Sequence, residues 1–176
     1  MNDVTPSAYG AYTGPAELTI QRLLPGPIER VWAYLTESDL RKQWLASGVM
    51  EMRAGTSCEF VWRNDELSDP PAKRPEGFSE EFRMQSEIIE VDPPRKITFT
   101  WAPRGEVTFE LDPRGSKVLL TVIHRRISDR PNTLKVSAGW HTHLDVLVAR
   151  LNGEEPQPYW DVWQRLHGEY EKRLPE

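Results

Sequence analysis

The chain has 176 residues, a net charge of −5 and a single cysteine, Cys58. At about this length roughly 70% of the unfolded surface can be buried, so one domain with a substantial core is expected, and a lone cysteine excludes a disulfide framework. Lysines and arginines are scattered rather than clustered, which argues against nucleic-acid binding, and no segment approaches the roughly 18 apolar residues of a membrane span. The first residues lack the basic start and apolar run of a signal peptide, so a reducing, cytoplasmic setting is expected.

Residues 1–15 carry Gly, Pro, Ser and Thr without period and read as a flexible arm ahead of a single domain over 16–176. Alternation from Glu17 to Leu24 predicts a strand, ended by Pro25-Gly26-Pro27. Gly26 is the expected N-cap of a helix with Pro27 in its first position and Ile28, Val31, Trp32 and Leu35 as its stripe. Thr36, with Leu35 and Leu40 as a hydrophobic staple, opens a second short helix through Trp44 and Leu45. Gly48 stops it before a short strand candidate, Val49 to Met52. Thr56 to Arg63 is a further strand with Cys58, Phe60 and Trp62 on one face, Cys58 being a core residue.

Residues 64–79 mix charges, prolines and glycine, and mark a long loop. Four strands in meander follow: Phe82 to Val91, Ile97 to Trp101, Val107 to Leu111 and Val118 to Ile123, joined by Pro- and Gly-containing turns. After Pro131, the spacing of Trp140, Leu144, Leu147, Val148 and Leu151 predicts a long amphipathic helix stopped by Gly153. A last helix from Pro158 presents Tyr159, Trp163, Leu166, Tyr170 and Leu174. This order makes an α+β domain of about six strands, whose curled sheet the long helix covers.

Several stretches together resemble one family: Ile28-Glu29-Arg30-Val31-Trp32 before Leu35-Thr36, the short helix ending in Trp44, Glu90-Val91-Asp92-Pro93-Pro94-Arg95 before Phe99-Thr100-Trp101, and Gly139-Trp140. The set, over residues 17–151, is similar to proteins like the C-terminal domain of the activator of heat-shock protein 90 ATPase. These belong to the START-like, or helix-grip, superfamily of polyketide cyclases, lipid carriers and plant hormone-binding proteins. The resemblance implies a curved antiparallel sheet around a long helix, with a cavity between them. It carries over no shared catalytic residues. The helix from Pro158 to Leu174 is an addition to the minimal domain, there either to cover the sheet edge or to pair two subunits.

Trp62, Phe82, Met84, Phe99, Trp101, Phe109, Trp140, Leu144 and Leu147 are spaced to face inward from strands and helix. Whether they line a cavity or fill it decides function. An aromatic-lined cavity takes a hydrophobic or aromatic small molecule, with the indole N–H of Trp62, Trp101 or Trp140 orienting it. His141 and His143 point about 200° apart on a helix and cannot chelate one ion together, so no metal is expected. His141 and Asp145 are four apart and read as a surface pair. His124, beside Arg125-Arg126, either presents a cationic group at a pocket end or marks a solvated strand exit, and exposure of charges at strand ends favours the second. Glu80, Glu81 and Glu87 offer carboxyls at no defined separation, and no glycine-rich phosphate loop calls for a cofactor.

Three functions follow as expectations. The first is a small-molecule binding protein. The second is a module regulating a chaperone ATPase, as the resemblance suggests. The third is a cyclase- or hydrolase-type enzyme, which burial of His143 or Glu87 would favour. The oligomeric state, monomer or homodimer, stays open.

Overall fold

Period-two alternation builds the sheet. In β2 (Glu17–Pro25) Leu18, Ile20, Arg22 and Leu24 are buried, and β7 (Lys117–Arg125) answers with Val118, Leu120, Val122 and His124. Antiparallel register pairs Leu18 with His124, Ile20 with Val122 and Leu24 with Val118, so both sets share one face. Across β6 (Gly105–Arg114) and β5 (Lys96–Trp101) that face continues through Phe109 paired with Val122 and Ile97 with Phe109. It ends on β4 (Phe82–Asp92) and β3 (Ser57–Trp62), where Phe60 pairs with Met84. Cys58 is buried there as a free thiol, in the core as expected.

The computed structural model describes residues 7–71 and 73–174. Residues 1–6 of the expected flexible arm lie outside them. The remainder of the arm contributes a strand: β1 (Ala11–Gly14) pairs with β2, Ala11 against Thr19 and Tyr12 against Leu18. The curved antiparallel sheet therefore has seven strands, in the order β1-β2-β7-β6-β5-β4-β3, rather than about six. Gly10 is held as well, its N–H donating to the Tyr170 hydroxyl at 2.8 Å, while the Tyr9 hydroxyl donates to Glu169 at 2.8 Å.

Two helices fill the link from β2 to β3. In α1 (Ile28–Thr36) the cap is Pro27, one residue later than expected, whose extended backbone (φ −79°) lets its carbonyl accept from the N–H groups of Arg30 and Val31. Thr36 closes α1 instead of opening the next helix, its hydroxyl donating to the Trp32 carbonyl at 2.9 Å. The second helix is a single turn, α2 (Ser38–Arg41). Arg41 is fully buried, and its guanidinium donates to the carbonyls of Leu35, Thr36, Ala46 and Gly48 and lies over the Phe60 ring. Val49 to Met52 does not form the expected strand: only Ser47 bridges to Val61, and Val49 is exposed.

The long helix α3 (Arg130–Leu151) starts where the Asp129 carboxylate accepts from the Asn132 N–H at 2.9 Å and stops at Gly153, in the left-handed region at φ 70°. It is not amphipathic in the expected sense. The sheet buries one side, and α4 (Tyr159–Arg173) buries another through Tyr159, Trp160, Trp163, Leu166 and Tyr170. The added C-terminal helix thus covers α3, and through Glu169, Tyr170 and Arg173 it also holds Tyr9 and Gly10 just ahead of the edge strand β1.

Candidate functional site

A cavity of about 570 Å³ opens between α3, α4, the ends of β3 and β5, and the segment around Phe78. That volume lies within the roughly 300–1,000 Å³ typical of small-molecule sites. From α3 it receives Asn132, Lys135, Val136, Gly139, Trp140 and His143. Their spacing of three and four is that of one helical stripe, so the cavity runs along the helix axis. Gly139 sits at the middle of the stripe, where a Cβ would meet nothing within 4 Å.

Aromatic rings make the walls. On the sheet side Trp62 meets Trp101 edge-on at 5.4 Å, and Trp101 meets Trp140 at 5.5 Å. On the α4 side Phe78 lies 4.9 Å from Trp160 and 5.0 Å from Trp163. The loop over 64–79 is fastened to α4 at several points. Asp65 accepts from the Trp160 indole at 2.7 Å, and the Ser68 hydroxyl accepts from the Tyr159 N–H at 3.1 Å. Its first residues wind into a 3₁₀ turn, Asn64–Leu67.

At the inner end of the stripe His143 is held on both ring nitrogens. Nδ1 lies 2.8 Å from the Trp44 carbonyl, which can only accept, so Nδ1 carries the proton. Nε2 then accepts from the Tyr159 hydroxyl at 3.1 Å. Burial pushes the His143 pKa down to about 4, against the raising effect of the Trp44 carbonyl, and burial pushes the Tyr159 phenol up. Both groups are neutral at physiological pH.

His124 is a correction. It is buried rather than solvated, accepts from the Trp140 indole on Nδ1 at 3.0 Å, and has its pKa lowered to about 4 by burial. The strand alternation that buries Val118, Leu120 and Val122 carries His124 inward as well, so its neighbours in sequence misled. The Trp140 N–H is thereby engaged. The indoles of Trp62 and Trp101 have no hydrogen-bond partner among the described residues.

Of the nine residues expected to face inward, Trp62, Phe82, Trp101 and Trp140 border the cavity, with Phe82 exposed at its mouth. Met84, Phe99, Phe109, Leu144 and Leu147 are buried in the hydrophobic cluster and do not line the cavity. They fill the interior, as interiors of protein-like density require. The wall contributed by Phe78, Trp160 and Trp163 was not foreseen. Trp163 was legible as part of a helical stripe, whereas Phe78 sits in a loop whose pattern gives no facing.

His141 and Asp145 do approach, Nε2 to Oδ2 at 3.7 Å, yet His141 is buried and not at the surface. Its Nδ1 lies 2.8 Å from the Tyr170 hydroxyl. Burial, with Arg22, Arg165 and Arg173 nearby, lowers its pKa to about 3. Asp145 pairs with Arg22 at 3.1 Å. His141 and His143 thus serve different networks. Glu80 and Glu87 are exposed, and Glu81 is paired with Arg63 and Arg83, which hold its carboxyl below the usual range.

A curved antiparallel sheet gripping a long helix, with a cavity between them, is the START-like helix-grip class. Within it the chain belongs to the family described as activator of Hsp90 ATPase homolog 1-like proteins, whose sequence profile matches residues 25–152. The match ends before α4. Among solved structures, the protein encoded by gene BPP1335 of Bordetella parapertussis is 33% identical with a TM-score of 0.80, covering 100% of this chain and 97% of its own. CalU16 of Micromonospora echinospora is 22% identical with a TM-score of 0.66, covering 97% of this chain and 98% of its own. EF2215 of Enterococcus faecalis is 19% identical with a TM-score of 0.66, covering 89% and 83%. A search of curated proteins finds no match. Among the described residues no helix is long and apolar enough to cross a membrane.

Proposed function

We propose that this protein binds a flat apolar or aromatic small molecule in the cavity between sheet, α3 and α4. Gly139 is the observation that carries the reading. An interior helical glycine costs about 1 kcal/mol relative to alanine, and here the missing side chain leaves open space at the centre of the α3 stripe. The aromatic rings of Trp62, Trp101, Trp160 and Trp163 around that space suit stacking and edge contacts with a planar ligand.

The enzyme reading draws less support. His143 is buried, as an acid–base group would be, but both its ring nitrogens are engaged by Trp44 and Tyr159, and Glu87 is exposed. Nothing in the geometry favours a chaperone-regulating surface over the cavity.

The test is a fluorescence titration with N-phenyl-1-naphthylamine, a neutral aromatic probe. Wild-type protein is expected to bind it saturably. Gly139→Phe, which puts a ring into the open space, is expected to fold with an unchanged circular-dichroism spectrum and to lose the binding. Undiminished binding by folded Gly139→Phe removes this cavity as the site.

A further inference from the structure

We infer that the ligand of this cavity is an aromatic monoanion, its charge held at the rim by Lys135, a reading that rests on the cavity being the binding site. The chain carries 27 acidic and 22 basic residues, yet among the residues lining the cavity the only formal charge is the Lys135 ammonium, and no carboxylate is present. Lys135 is exposed and makes no ion pair among the described residues; exposed lysines such as Lys117 and Lys172 also lack one, but they do not line the cavity. An unmatched cation at the mouth of an aromatic cleft attracts an anion with no competing internal partner.

Position along α3 gives the ligand a direction. Lys135 stands one turn before Gly139, and His143 one turn after it, so rim and inner end are about 12 Å apart at 1.5 Å per residue. The inner end offers no charge: His143 and Tyr159 are neutral and satisfy one another. Between lie the aromatic walls. A ligand matching this profile is a flat ring system of two or three rings bearing one carboxylate, phenolate or sulfonate at the end nearest solvent. Ser79, also at the lining and without a hydrogen-bond partner among the described residues, supplies a second donor.

The experiment compares 2-anthracenecarboxylate with its neutral isostere 2-anthracenecarboxamide by fluorescence titration at pH 7.5 and low salt. Wild-type protein is expected to bind the acid about fivefold more tightly, the size of an exposed charge pair. Lys135→Met is expected to equalise the two affinities, Lys135→Glu to reverse their order, and added salt to shrink the wild-type preference. Equal wild-type affinities, or a preference that survives Lys135→Met, overturn the inference while leaving the cavity reading intact. Failure of both compounds to bind while N-phenyl-1-naphthylamine still binds overturns the inference alone, and failure of all three overturns the two together.

Discussion

Arg41 shows how much a single side chain decides in this fold. Its guanidinium gathers carbonyls from the end of α1 and from the turn after α2, groups that no regular element satisfies. Burial lowers its pKa to about 10, still well above neutrality, so the cation persists inside. Removing it leaves several buried carbonyls without a donor, each a penalty of about 1–3 kcal/mol before relaxation. Arg41→Ala is accordingly expected to cost about 3–4 kcal/mol in urea unfolding. Arg41→Lys should restore little, because one ammonium cannot span the same acceptors. Neither the burial of Arg41 nor that of His124 was legible from the chain, since each depends on carbonyls or rings brought from distant segments.

At the scale of elements, α3 is shaped by the demands of two neighbours. Its sheet-facing residues were legible by spacing, but α4 turns its other side into interior as well, so polar residues such as Thr142 and His141 are buried too. Gly139 is the exception, a position where packing asks for nothing. Gly139→Ala adds one methyl in open space and raises helix propensity, so stability is expected to rise by about 0.5–1 kcal/mol. Thermal or urea denaturation checks it. An unchanged or lowered midpoint would mean that the glycine answers a backbone need. The hairpins of the meander were read correctly because a turn and two alternating strands are local information. The strand β1 was missed because Ala11–Gly14 has almost no apolar alternation and owes its place to β2.

For the whole molecule, three buried histidines link stability to pH. His124, His141 and His143 have folded pKa values near 4, 3 and 4, each below the ordinary 6.5 of the unfolded chain. The unfolded state therefore binds more protons between these limits. Their stabilising effect is complete above about pH 6.5 and is lost as the pH falls toward 4, each contributing a slope of up to about 1.4 kcal/mol per pH unit. Asp145, its pKa raised by burial, acts in the opposite sense nearer the carboxylate range. Urea midpoints are expected to fall steeply from pH 7 to pH 5, and His143→Gln is expected to flatten that slope. A pH-independent midpoint across this range would mean that the histidines are solvated in the native state.

Elements and class came from local pattern. Alternation, turn residues and helical spacing act over a few positions, so the strand–helix–meander–helix order, the α+β class and the core role of Cys58 were legible in the chain, while the helix-grip class came from the family resemblance of several stretches taken together. The division of the aromatic residues was not. Phe99 and Trp101 lie on the same strand with the same facing, yet one is packed in the interior and the other borders the cavity. That outcome depends on where α4 and Phe78 close over the sheet. Packing of segments far apart in the chain sets which side chains meet other side chains and which meet open space, and only the assembled fold brings those segments together.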